Sequence, residues 1–181
     1  MPNYFGRIVF ILFAILVCLA GHAIRANADT TLDARNSITN LLENPSPLLH
    51  EPRSSDVDAI AAACAEAEAA YGVPCLLLVA MMHHESRFDS TVIGKRGEIG
   101  LLQVHGAAAR GCDLATIRGQ VFCGAAWLQL GRSRCSDWWS ATHWYASSSC
   151  GDQNTHTTLD RRIDMRIHLW QRLQKNQNGD M

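Results

Sequence analysis

Apolar and polar positions divide the chain into helical stretches separated by glycine-bearing turns. The most apolar stretch is Leu76-Leu77-Leu78-Val79-Ala80-Met81-Met82, with one carboxylate, Glu85, close behind it. A glycine-rich turn, Gly94-Lys95-Arg96-Gly97-Glu98-Ile99-Gly100, leads to Leu101-Leu102-Gln103-Val104, apolar but for one amide. Upstream, Asp58 to Ala70 is dense in alanine and other strong helix formers, with Ser55 or Asp56 as cap. Gly72 stops that helix, and Pro74 suits the first turn of the next, which runs to Glu85 or Ser86. Leu101 to Ala109 reads as a short third helix ended by Gly111, and Cys112 to Gly119 as loop. Further helices are predicted over Gln120–Leu128, ended by Gly131, and over Ser136–Tyr145. The last is capped by Thr157 or Thr158 and carries Ile163, Ile167, Leu169, Trp170 and Leu173 at roughly helical spacing. No strand alternation is convincing, so the predicted fold is mainly α-helical.

The expected organisation is a signal peptide over 1–28, a linker or loosely packed arm over 29–54, one helical domain over 55–175, and a frayed tail over 176–181. The chain has 181 residues, enough for one domain, and 48% hydrophobic residues, enough for a core. Arg7 precedes an apolar run from Ile8 to Ala20, and Ala26-Asn27-Ala28 has the small-x-small form of a cleavage site. That apolar run is short for a membrane span. Val17 before Cys18 fits a lipid-attachment site poorly. The expected location is therefore exported and periplasmic, with membrane contact only through the signal segment. The formal net charge of −1 shows no basic excess and argues against a nucleic-acid partner.

Of seven cysteines, Cys18 leaves with the signal. Cys64, Cys75, Cys112, Cys123, Cys135 and Cys150 remain, an even set that reads as a disulfide framework in an exported chain. Sequence does not choose the connectivity, although pairing of neighbours closes the shortest loops. A Cys64–Cys75 bridge would tie the first two helices together, and full pairing predicts no free thiol. An unbroken helix would hold Cys112 and Cys123 roughly 16 Å apart, too far for a disulfide. Either a break lies between them or they do not pair. No C-x-x-C pair occurs, so zinc is not expected. His83, His84, His105 and His143 suggest no metal site either, because position 88, where a His-Glu-x-x-His motif needs histidine, is Phe.

Glu85 sits where chemistry would be placed. A carboxylate behind an apolar helix is costly unless paired or neutral, and a general acid must hold its proton near neutral pH. On composition alone, the favoured reading of Glu85 is a helix-end residue paired with Arg87 or Lys95. Two motifs at a fixed separation change this balance. Glu85-Ser86-Arg87-Phe88 and Gly97-Glu98-Ile99-Gly100-Leu101-Leu102-Gln103 resemble the core of the soluble-type lytic transglycosylases, lysozyme-like enzymes of the bacterial cell wall. The likeness covers roughly Ile60 to Tyr145. Gln120-Val121-Phe122-Cys123-Gly124-Ala125-Ala126-Trp127-Leu128 is similar to the family's next helix, with Gln120 where Asn is usual. Tyr145 matches the start of a later motif, but the family's Asn-Gly is replaced by Ala146-Ser147-Ser148-Ser149.

The resemblance implies a lysozyme-like helical fold and cleavage of the β-1,4 bond between N-acetylmuramic acid and N-acetylglucosamine. Glu85 would act as acid and then base, leaving a 1,6-anhydro end and needing no cofactor. It implies substrate-binding roles for Ser86, Gln103, Tyr145, Gly97 and Gly100, the glycines through positive φ or close approach. Asp89 and Glu98 are expected to be exposed or structural. Trp127, Trp138, Trp139 and Trp144 are expected mostly in the core, one of them free to stack on a sugar. The implied partner is the peptidoglycan glycan strand. An envelope-spanning secretion or conjugation apparatus, general wall turnover and a phage remain open as settings. A hydrolytic lysozyme on the same scaffold remains open too, as does a weakly catalytic wall-binding protein, which the lost Asn-Gly favours.

Overall fold

The structure is a computed structural model and describes residues 28–154 and 156–178. The proposed signal peptide lies outside the described residues, apart from Ala28. Helix α1 occupies 28–43, and a 3-10 turn at Ser54–Asp56 leads into α2, Val57–Tyr71. Then follow α3, Cys75–Glu85, α4, Ile117–Arg134, α5, Trp138–Ser147, and α6, Thr158–Asn178. Among the described residues the only β pairing is two isolated bridges, Ile93 with Ile99 and Ile99 with Val104. The mainly α-helical expectation holds.

Helix α3 is the axis of the domain. Leu77, Leu78, Val79, Ala80, Met81 and Met82 are each at most 1% exposed, so the helix is buried on every side over this stretch. Helices α2 and α6 pack against it; α4 packs on α2, and α5 joins α4 to α6. Its end is closed locally. Ser86 and Phe88 both donate backbone N–H groups to Met82 O, and Arg87 and Phe88 take positive φ of 55° and 62°. That conformation is unfavourable for a bulky residue, and burial of the Phe88 ring, 1% exposed, holds it.

Several expectations are corrected. The arm over 29–54 is helical to residue 43, with Ile38 and Leu42 at 2% and 1% exposure. Their i, i+4 spacing makes a narrow apolar stripe that the surrounding Asp, Thr and Asn residues conceal. Leu49 is buried as well. The tail expected to fray from 176 is helical to Asn178, and Gln177 Nε2 donates to Ser37 Oγ at 2.7 Å, tying α6 to α1. The short helix over Leu101–Ala109 does not form. Gln103 turns left-handed at φ 49°, and Val104 N–H pairs with Ile99 O instead of continuing a helical ladder. Gly131 does not end α4, which continues to Arg134; its missing side chain instead lets the α5 backbone at Ala141 approach closely.

Cys112 joins Cys123, with Cα atoms 6.1 Å apart, and Cys135 joins Cys150 at 5.6 Å. The break required between the first pair is the turn before α4, where the Thr116 hydroxyl caps the helix by accepting from Gly119 N–H. Cys64 and Cys75 are free and buried, against the expectation of full pairing. Burial pushes the Cys64 thiol up to about 12, with the nearby Glu68 adding to it, and raises Cys75 as well. Thiolate is the reactive form, so both thiols should resist a thiol reagent in the native protein. Unfolding in denaturant should release two titratable thiols; release of none would mean that a third bridge forms.

His83 on α3 stacks on His50 at 4.7 Å, and its Nδ1 accepts from His50 N–H at 3.1 Å. Burial, helped by the neighbouring His84 and His50, lowers its pKa from 6.5 to about 4. The unfolded chain therefore binds this proton more readily. The stability His83 contributes is present above pH 6.5 and is lost as pH falls towards 4. The urea midpoint should fall over this window, and His83→Phe should flatten that dependence.

Candidate active site

Glu85 ends α3 at the wall of a cleft of about 490 Å³. Its Oε1 accepts from Arg166 Nη2 on α6 at 2.7 Å, with both side chains largely enclosed. Arg166 also donates through Nη1 to Arg162 O at 2.8 Å, while its Nε is buried without a protein partner. Pairing is thus how this chain meets the cost of a carboxylate at the end of a buried helix.

Opposite Glu85 the chain makes a tight loop, 90–104. Gly97 and Gly100 there have φ of 83° and 68°, where glycine is at ease. Gly100 also has no room for a side chain, because a Cβ would run into the Gln120 amide. Gln120 is 3% exposed and makes three bonds, two of them to the loop and one to Leu114. Its Oε1 accepts from Leu101 N–H at 2.9 Å, and its Nε2 donates to Ser90 O at 2.9 Å and Leu114 O at 3.0 Å.

The residues singled out in the sequence gather here in different ways. Ser86 does not face the cleft as a ligand group; its hydroxyl bonds Leu101 O at 2.9 Å and Met82 O at 3.2 Å, locking the helix end to the loop. Tyr145 lines the cleft and donates to Leu102 O at 2.7 Å. Burial, with the Glu85 charge second, raises its phenol pKa, so the hydroxyl stays protonated. Gln103 lines the cleft, and its Nε2 donates to Gly100 O at 2.9 Å, which leaves its Oε1 as an acceptor near Gly94.

Glu98 also lines the cleft. Its carboxylate is held by backbone N–H groups, its own and that of Arg96, and by the Arg96 guanidinium at 2.8 Å; together they push it down to about 2. Asp89 points elsewhere, to Thr91 and, at 3.2 Å, to Arg53. Of the tryptophans, Trp127 lines the cleft, backed by Trp144 at 4.7 Å, whereas Trp139 and Trp144 are buried.

The histidines are dispersed. His105 is at the cleft, and His84 lies near Arg166 and Met165, with a pKa lowered chiefly by burial. His143 has Asp160 on one ring nitrogen at 3.3 Å and Ser147 Oγ on the other at 2.9 Å. This does not activate Ser147, because the same Nδ1 faces the carbonyl of Ser149 at 2.8 Å, which can only accept a proton. Among the described residues, no three His, Cys, Asp or Glu side chains are grouped to hold a metal.

Residues 62–120 match the family model of the transglycosylase SLT domain. The SLT stretch includes α3, the loop and Gln120, and it supports a lytic transglycosylase-like, peptidoglycan-acting function. No curated protein and no solved structure matches the chain. Arg166 and the clip made by Gln120 went unrecognised in the sequence. For Arg166, the signal was a cation on the apolar face of the last helix, beside Ile163 and Ile167. For Gln120, it was an amide at the family's usual Asn position.

Gln120→Ala would leave Leu101 N–H, Ser90 O and Leu114 O without their partner. Each buried polar group so orphaned costs about 1–3 kcal/mol. The variant should lose at least about 2 kcal/mol in urea unfolding, with a disproportionate loss of any glycan binding because the loop carries Gln103.

Proposed function

We propose that this protein is an exported peptidoglycan lytic transglycosylase with Glu85 as its acid and base. The observation that carries the reading is Glu85 at the end of α3 in the cleft, where among the described residues the other lining acid, Glu98, is bound by backbone amides as well as by an arginine. A typical glycosidase needs two carboxyl groups flanking the scissile bond. Here Glu98, the other acid lining the cleft, is already bound by Arg96 and two backbone amides.

Protonated Glu85 gives its proton to the glycosidic oxygen as the bond from muramoyl C1 to that oxygen breaks. The resulting carboxylate then takes the proton from the muramoyl 6-hydroxyl as its oxygen bonds to C1. The 1,6-anhydro sugar leaves, and Glu85 is protonated again, ready for another cycle. Between the two steps Glu85 is ionised, with the Arg166 guanidinium within 2.7 Å of it. Gln103 Oε1 accepts from an N-acetyl N–H, and the face of Trp127 stacks on a sugar ring. Tyr145 and Ser86 act by holding the loop carbonyls, with Gly97 and Gly100 shaping the turn.

Bridges at Cys112–Cys123 and Cys135–Cys150 accord with a periplasmic site of action. Among the described residues, no helix is long and apolar enough to cross a membrane. Local opening of the wall for an envelope-spanning secretion or conjugation apparatus suits a catalytic domain of this size.

Mass spectrometry of products from purified sacculi, for the native protein and Glu85→Gln, tests the reading. Anhydro-muropeptides are expected from the native protein alone, with a loss of at least about a hundredfold in the variant. Reducing muramic ends would instead make the enzyme a hydrolase and bring Glu98 forward as the second carboxylate. Binding to sacculi without products would make it a wall-binding protein.

A further inference from the structure

Fixed charge along the cleft is unequal. Glu85 and Glu98 line it, and so do Arg96, Arg162 and Arg166. Glu85 is taken by Arg166 at 2.7 Å and Glu98 by Arg96 at 2.8 Å. Among the described residues, that leaves Arg162 without a carboxylate partner. Its exposed side chain lies where the cleft meets α6. Leu159, Arg162 and Arg166 share one face of that helix, spaced i, i+3 and i+7, and all three line the cleft. Ile163 and Leu173, buried on the same side of the helix, seat it in the core. Arg162 is therefore held one helical turn from the group that grips Glu85, at the lining of the same cleft, by a helix seated in the core beside it.

An exposed guanidinium beside a glycan path can donate to hydroxyls and amide carbonyls, but its strongest partners are anions. A planar, bidentate donor suits a carboxylate. On the glycan proposed as substrate, the acidic groups hang from one place, the lactyl ether of the muramoyl residue. They are the carboxylates of the stem peptide or, where the stem has been removed, the lactyl carboxylate itself.

Resting on the transglycosylase reading, we propose that Arg162 is a specificity-determining residue that binds a carboxylate on the muramoyl lactyl arm. It selects glycan that carries this arm and sets which sugar lies against Glu85. The interaction is solvent-accessible, so it weakens as salt rises. Its contribution is to binding of the arm and not to the proton transfers.

The test uses binding, so that it does not depend on turnover. Glu85→Gln serves as the parent, and Arg162→Gln and Arg162→Lys are added to it. Three glycans of equal length are compared: stem-bearing peptidoglycan fragments, the same fragments after amidase removal of the stem, and N-acetylglucosamine oligomers without a lactyl group. Arg162→Gln should weaken the first by about five- to tenfold, about 1 to 1.4 kcal/mol, and leave the N-acetylglucosamine oligomers unchanged. Arg162→Lys should retain most of the binding. Loss confined to stem-bearing fragments assigns the stem carboxylates, and equal loss on the amidase-treated glycan assigns the lactyl carboxylate. Unchanged binding of all three, or equal weakening of all three, overturns the proposal. Binding that follows the expected pattern with no cleavage by the native protein would leave Arg162 its role and overturn the enzymatic reading alone.

Discussion

A helix with no free face governs this structure. The Leu77–Met82 segment of α3 is closed off on all sides, so the polar end of that helix has one place to emerge. Burial of one Leu, Val or Met side chain is worth about 1.5–3 kcal/mol, and five of them, with Ala80 in their midst, make the position of α3 the least negotiable feature of the domain. Glu85 inherits that rigidity. Its location is set by apolar contacts that have no chemical interest of their own, and its charge is answered by the one neighbouring helix that offers a cation there. Positioning and electrostatic compensation thus come from different helices, α3 and α6, pressed together in the same core.

The second wall is built by polar means. The loop facing Glu85 has little regular structure and few apolar anchors besides Leu101, Leu102 and Val104, which are buried. It is kept in shape by side-chain amides and hydroxyls: Gln120 from α4, Ser86 from the end of α3, Tyr145 from α5. Each reaches a backbone group of the loop that helix or sheet would otherwise have satisfied. A cleft formed in this way has one face set by packing and another set by directional bonds, so the two respond differently to substitution.

Much of this was legible in the amino-acid order. The apolar run, the glycines and the spacing from Glu85 to Gln103 are local signals, and they marked the right segment. Stretch 101–109 was misread because its composition suits a helix, whereas a bridge to Ile99 and a left-handed Gln103 decide its path. Helix α1 was missed because only Ile38, Leu42 and a few neighbours face inward. Arg166 and Gln120 each carried a local hint, but not the identity of the group they meet. Their partners lie 81 and 19 residues away in the chain, and no periodicity encodes which distant group a buried polar side chain will meet. Cys64 and Cys75 show the limit of counting: an even number of cysteines constrains parity, not geometry.

Both bridges end on or beside the same helix. Cys123 lies within α4, and Cys135 follows its last residue. Helices α2, α3 and α6 carry no cross-link at all. The covalent chemistry of this molecule is therefore lopsided. The helices that hold Glu85 and Arg166 carry no disulfide, while α4, which bears Trp127 and Gln120, has both on or beside it. A reductant would therefore act on the α4 side of the domain and leave no bond to break between α3 and α6.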